Sequence, residues 1–183
     1  MKACSFLIVF LFGSIHLVLA QLEGQPFPEM NTTTLESEPI QMPKDVNGKY
    51  TVLGLAYSKK SEKSLNTWFQ PIFNKFIPKK GATKNVFSSF TYDVNVYFIP
   101  MFTGINTAAA GPARKKALKN IDPLLHPYIL FYKGKLKPYK ESLDFERKDT
   151  PYLFVLDQHG KIVYATSGAY TEDKMDAVEA SIE

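Results

Sequence analysis

Apolar positions along this chain follow two periods, and together they predict an alternation of strands and helices. The run Tyr50-Thr51-Val52-Leu53-Gly54-Leu55-Ala56-Tyr57 carries no charge and reads as a buried strand. Behind it, Leu65, Trp68, Phe69, Ile72, Phe73 and Phe76 recur at three- and four-residue spacing, which places all six on one stripe of a helix. Ser58-Lys59-Lys60-Ser61-Glu62-Lys63-Ser64 joins the two, with Ser61 followed by Glu62 suited to capping the helix. Val94-Asn95-Val96-Tyr97-Phe98-Ile99 predicts a second strand, ended by Pro100. A small, flexible stretch at 104–112 then leads to a short basic helix at 113–119. Tyr128-Ile129-Leu130-Phe131-Tyr132 reads as either a third strand or an insertion element, and the polar span 133–149 as a surface loop with a short helical turn.

The last third is the most regular. Tyr152-Leu153-Phe154-Val155-Leu156 and Lys161-Ile162-Val163-Tyr164-Ala165 flank Asp157-Gln158-His159-Gly160, a hairpin signature. Thr171 is placed to cap a final helix that has Glu172 and Asp173 in its first turn and Met175, Val178 and Ile182 as its buried stripe. Strand, helix, strand, helix, hairpin and helix make an α/β fold: a mixed central β-sheet flanked by helices.

Residues 1–20 differ from the rest. A positive start at Met1-Lys2, an apolar run over 4–19 and the small-residue close Val18-Leu19-Ala20 predict a signal peptide cleaved before Gln21. A membrane anchor is the competing reading, but the run is shorter than the ~20 residues a spanning helix needs. No later stretch is long enough to span a bilayer, so no transmembrane span is expected after signal removal. The protein is thus expected to be exported, periplasmic or extracellular. Residues 21–47, rich in Pro, Thr, Glu and Gln, form an N-terminal extended lead-in with at most a marginal hairpin, and 48–183 the folded domain. Asn31-Thr32-Thr33 matches a glycosylation acceptor.

Composition then removes whole classes of chemistry. The single cysteine, Cys4, lies within the leader, so residues 21–183 hold no thiol, no thiolate metal ligand and no disulfide. The formal net charge of +4 is carried by lysine clusters with acidic residues between them. Solvated faces are the expected role and nucleic acid is not, although the excess leaves room for weak attraction to an anionic membrane surface. After the leader only His126 and His159 are available as neutral bases. His159 sits in a hairpin turn, whereas His126, within Leu124-Leu125-His126-Pro127, lies between apolar elements. Asp122, Asp144, Asp149, Asp157, Glu141 and Glu146 show no spacing that implies a metal cage or a hydrolytic pair. Trp68 belongs to the helix stripe.

The element order, Gly48-Lys49 before the first strand, and Thr150-Pro151 ahead of the run from Phe154-Val155-Leu156-Asp157 to Gly160-Lys161-Ile162-Val163-Tyr164 together resemble the thioredoxin-like superfamily. The likeness is to its exported thiol-disulfide oxidoreductases and peroxiredoxin relatives. It implies that Pro151 is a cis-proline facing the active turn, and that the Cys-x-x-Cys pair falls on Ser61 and Ser64. A serine hydroxyl at a helix N-terminus does not ionise as a cysteine does, and needs an adjacent base. A narrower likeness, through Trp68-Phe69-Gln70-Pro71 and the run from Tyr152 to Asp157, is to the mitochondrial ATP synthase assembly factor family. The resemblance therefore implies a redox-inactive, exported binding or assembly module for a protein or peptide, with no cofactor and no catalytic residue. Its contact region would be Tyr57, Ser58, Ser61, Ser64, Thr150, Pro151 and Tyr152, pairing main chain with an extended segment. Two alternatives stand beside it: a non-thiol enzyme using His126 in a cleft, and a metal carrier.

Overall fold

In the computed structural model the described residues are Leu19, 21–77 and 92–182. They build one seven-stranded mixed sheet from β1 (Met30–Thr33), β2 (Pro39–Met42), β3 (Tyr50–Ala56), β4 (Val94–Thr103), β5 (Phe131–Gly134), β6 (Tyr152–Leu156) and β7 (Ile162–Ser167). The strand order is β2-β1-β5-β4-β3-β6-β7. β3, β4 and β5 run parallel, and the remaining pairings are antiparallel. The helices are α1 (Lys59–Phe76), α2 (Ala110–Asn120), α3 (Lys137–Leu143) and α4 (Glu172–Ala180).

β3 lies inside the sheet, between β4 and β6, and both of its faces are apolar. Leu53, Leu55 and Tyr57 enter one core, with Ile99, Phe154, Leu156 and the N-terminal residues Phe27, Met30 and Met42. Val52 and Ala56 enter the other, beneath α1 and α4, with Leu65, Trp68, Val155 and Val178. The alternation is the period-two pattern of a strand buried on both sides. Of the α1 stripe, Leu65, Trp68, Ile72 and Phe76 are buried, while Phe69 and Phe73 are half-buried around Phe98. Gly54 lets α1 approach closely: a Cβ there would lie 2.8 Å from Leu65 Cδ1 and 3.0 Å from Phe98 Cδ1.

Three expectations need correcting, and the choice left open at 128–132 falls to the strand. Pro100 does not end β4, which continues to Thr103; the proline marks the point where pairing passes from β3 to β5, so no ladder partner needs its missing N–H. Tyr128 closes a 3-10 turn, and the strand proper, β5, is a full member of the sheet rather than an insertion. The span 133–149 is not a surface loop, because Tyr139 and Leu143 of α3 and Phe145 beyond it are buried in the core. α2 begins three residues earlier than expected, straight from a 3-10 turn at Gly104–Ala109.

The lead-in at 21–47 is stitched to the sheet. β1 and β2 form an antiparallel hairpin, and β1 also pairs with β5. Gly24 and Phe27 donate backbone hydrogen bonds to Ile162 and Gly160, at 2.7 and 2.9 Å. Asn31 is exposed on β1. Of the expected leader only Leu19 is among the described residues, and it is buried in the core cluster with Phe27 and Met30. The β6–β7 hairpin and the Thr171 cap of α4 are as expected.

The hairpin turn generates a first prediction. Gly160 has φ +76, and a Cβ there would sit 2.7 Å from Pro43 Cβ and Cγ; Gly24 has φ +81 with nothing within 4 Å. Gly24→Ala is expected to lose about 1 kcal/mol from backbone strain alone, and Gly160→Ala about 2–4 kcal/mol because overpacking is added. Urea unfolding of the two variants checks the order. A second concerns the α1–α4 tie, where Lys75 and Tyr92 both donate to Glu179 and hold its carboxyl below the usual carboxylate range. Stability from this depressed pKa is complete above the ordinary value of ~4.3 and is lost as pH falls through the lower folded value. Glu179→Gln should therefore be less stable than the parent at pH 7, and the two should converge in acid.

Candidate functional site

The entry to α1 is a closed hydrogen-bonded box. Ser58 is extended (φ −145, ψ 158) and is the N-cap; Ser61 is the third helical residue. Ser58 Oγ accepts from the Ser61 N–H at 3.0 Å, and Ser61 Oγ accepts in return from the Ser58 N–H at 2.9 Å. Ser61 Oγ donates to the Ser58 carbonyl at 2.9 Å, and Ser58 Oγ donates to Asp149 Oδ1 at 2.9 Å. The two hydroxyl oxygens lie 3.1 Å apart, with Ser58 half-exposed and Ser61 at 0% exposure. The cap is thus Ser58, not Ser61. The i, i+3 pair that meets at the helix start is Ser58 and Ser61, not Ser61 and Ser64; Ser64 lies one turn further on, half-exposed.

The loop before β6 does face this turn, through Asp149, but its proline is not the one expected. The only cis peptide among the described residues is Met42–Pro43, and the bond before Pro151 is trans. Pro151 is buried, and its carbonyl accepts from the Gly168 N–H at 2.9 Å; the Thr150 N–H donates to Arg147 O at 3.3 Å. With those groups engaged and no N–H on proline, the expected main-chain pairing with an extended partner has no free donor at 150–151.

Tyr57 and Tyr152 are buried rather than offered to a partner, because Phe145 lies between them. Its ring stacks on Tyr57 at 5.6 Å and on Tyr152 at 4.5 Å. The Tyr152 hydroxyl accepts from the Arg147 N–H at 2.9 Å, and the Tyr57 hydroxyl donates to Phe145 O at 3.4 Å. Burial pushes both phenols above their ordinary value, and for Tyr57 the neighbouring Tyr152 and Asp149 add to it. Both remain neutral and fasten 144–150 over the end of β3. Of the seven expected contact residues, Ser58, Ser64 and Thr150 are half-exposed, and Tyr57, Ser61, Pro151 and Tyr152 support them from beneath.

Beside the turn lies an open groove that the sequence did not announce. One part, of about 770 Å³, runs between the start of α1 and α2, with Tyr57, Ser58, Phe102, Ala117 and Lys148 in its walls. A smaller adjoining part, about 220 Å³, reaches Leu65, Phe69, Phe98 and Phe131. Glu62, Asn66, Phe102, Ala113, Ala117 and Ile121 line both. The groove exists because α2 turns Ala113 and Ala117 inward, and their single methyl groups leave the space between helices unfilled. Burial raises the Glu62 carboxyl above its ordinary value, with Lys59 opposing the shift. The alanine spacing inside a basic helix was the available signal, but alanine at i, i+4 reads equally well as a well-packed face.

His126 has no place in this arrangement. Its Nε2 lies 3.1 Å from Ile121 O, and its Nδ1 is 3.4 Å from Glu36 at the β1–β2 turn. His126 thus meets a carboxylate, as the enzyme reading expected, but it does not line the groove beside the α1 entry. His159 is exposed in its hairpin turn. Among the described residues no three metal-ligating side chains come together, and no helix is long and apolar enough to cross a membrane.

By sequence, the family described as ATP10 protein matches residues 21–183. The chain belongs to the ATP10 family. No curated protein matches it by sequence. Solved structures share the ATP10-family chain's fold at low identity. The C-terminal domain of a protein assigned as a thiol-disulfide oxidoreductase in Bacteroides thetaiotaomicron is 15% identical, with 86% of this chain and 94% of that one covered and a TM-score of 0.54. BsSco, of the Sco family of cytochrome c oxidase assembly proteins, is 10% identical, covering 87% and 93% at 0.54. The exposed lipoprotein thioredoxin Etrx1 of Streptococcus pneumoniae is 13% identical, covering 84% and 99% at 0.52. The fold of this ATP10-family chain is thioredoxin-like, and its Ser58-Lys59-Lys60-Ser61 has the Cys-x-x-Cys spacing.

That spacing can be tested with sulfur. Ser58→Cys/Ser61→Cys is expected to form a reversible disulfide under mild oxidation, read by mass spectrometry after alkylation. Ser61→Cys/Ser64→Cys should stay reduced under the same conditions. The reverse result would restore the register first expected.

Proposed function

We propose that this protein is a redox-inactive assembly factor that holds a protein client beside the α1 entry during construction of an ATP synthase. Family membership supports the assembly role, and the absence of cysteine from residues 21–183 supports binding without thiol exchange. The observation that carries the reading is the pairing of a locked serine box with an open groove next to it. Where sulfur exchange would need a free thiolate, both hydroxyls are committed to hydrogen bonds. The neighbouring space, lined by Phe102, Ala113, Ala117 and Ile121, is left for a partner. Of the expected contact residues, Ser58 and Tyr57 form part of the groove's wall, and Ser64 and Thr150 lie outside its lining.

A leader at 1–20, as the sequence predicts, would carry the working domain beyond a membrane, periplasmic or extracellular. Its lysine-rich surface adds weak attraction to an anionic bilayer, where such a complex is put together.

Affinity capture of the tagged full chain after brief cross-linking, in its own cells, tests this reading. ATP synthase subunits should be enriched, and Asn66→Trp, a bulky change at an exposed position lining the groove, should reduce them by at least about fivefold. Ser61→Ala should lower stability by about 1 kcal/mol while capture persists below the melting transition. Capture indifferent to Asn66→Trp, or free of those subunits, would overturn the proposal.

A further inference from the structure

The groove has a shape, a charge and a position, and each constrains what can occupy it. It lies over one face of the sheet between two helices, away from the outer edge strands β2 and β7. An extended peptide there would find no strand edge to pair with, so its own N–H and C=O groups would be left without partners. An occupant that satisfies its backbone internally, a helix, does not meet that cost. The inward alanines of α2 permit close approach of a second helix, and Phe98 and Phe102 give its apolar side chains a floor.

The rim is cationic. Lys59, Lys116 and Lys148 line the larger part, and among the described residues none of the three is in an ion pair. Glu62 is the one carboxylate in the lining. Large apolar side chains are also exposed on the segments that flank the cavity. Ile105, 97% exposed, precedes the lining residue Asn106, and Leu118, 41% exposed, follows Ala117. Exposed apolar side chains beside an open groove fit a macromolecular partner better than a small molecule, which would leave them wet.

We infer that the groove between α1 and α2 receives an acidic amphipathic helix of the client, apolar side down and carboxylates toward Lys59, Lys116 and Lys148. This rests on the client-binding reading above and specifies the chemistry of what is bound. Coulombic attraction between the lysine rim and flanking carboxylates sets orientation and on-rate, and the buried apolar positions set residence time. Glu62 opposes the incoming charge, and its removal strengthens binding.

The test uses the purified full chain and two fluorescent helical peptides of about 18 residues with identical leucine positions, one flanked by glutamates and one by lysines. Vesicles of phosphatidylcholine with an anionic phospholipid form a third arm. By anisotropy, the acidic peptide should bind at least about tenfold more tightly than the basic one and weaken with added salt. Ala117→Phe, which fills the groove, should weaken it at least about tenfold. Lys116→Glu/Lys148→Glu, confined to exposed positions, should do the same with an unchanged melting temperature, and Glu62→Gln should tighten it two- to threefold, in keeping with one removed repulsive charge. Equal binding of the two peptides, no binding of either, or binding of vesicles in place of the acidic peptide overturns the inference. If a chain that ignores the acidic peptide still captures ATP synthase subunits, only this inference falls. If the peptide binds as expected and no subunit is captured, the functional reading falls instead.

Discussion

Leu53, Leu55 and Tyr57 point into one core and Val52, Gly54 and Ala56 into the other, so β3 has no solvent face to give away. Each fully buried aliphatic side chain contributes roughly 1.5–3 kcal/mol relative to exposure, and a one-residue slip would exchange the two faces. That double burial fixes the register of β4 and β6 on either side. It also fixes where the chain must leave the sheet. After Ala56 the backbone turns, Ser58 stops being strand, and α1 starts over Gly54, the one residue of β3 small enough to let Leu65 down onto it. The serine box is the local solution to that exit, and the groove is bounded by it.

The elements with strong periodicity were legible in the amino-acid order because their pattern is the cause of their burial. β3, α1, the β6–β7 hairpin and α4 fall within a few residues of the boundaries that spacing and turn chemistry predict. Pro100 misled because a proline is read as a stop, and its harmlessness depends on a change of neighbour strand that only the sheet order reveals. The span 133–149 misled for a related reason. Its polar residues dominate the pattern, yet Tyr139 and Leu143, one helical turn apart on α3, and Phe145 beyond it are what fasten it. Three apolar side chains in the right places outweigh a dozen solvated ones.

The site was legible in its location and not in its detail. A strand-to-helix turn carrying Ser-x-x-Ser is visible in the chain, but Ser58, Ser61 and Ser64 offer two overlapping pairs at the same spacing. Only the start of the helix decides between them, and helix starts are the least certain part of any reading from residues alone. Pro151 shows the opposite problem. Its position before β6 is as expected, but the isomer of its peptide bond is not encoded in the pair Thr150-Pro151, and the cis bond lies at Pro43. The groove was not legible at all, since it is made by what α2 lacks.

Serine in place of sulfur changes what a helix N-terminus is for. Two cysteines at N-cap and N3 exchange a bond, and the helix's positive end serves to keep one of them ionised. Two serines at the same positions exchange hydrogen bonds with each other's backbone, and the same positive end is satisfied by the cap itself. The turn is thereby held by hydrogen bonds where a reactive pair would stand. The box also fixes the start of α1 and with it one wall of the groove. In this chain the neighbouring surface is the alanine-lined space between α1 and α2, with Lys59 on the box's own first helical residue. The exit of β3 therefore sets where α1 begins, and α1 carries Lys59 to the groove's edge.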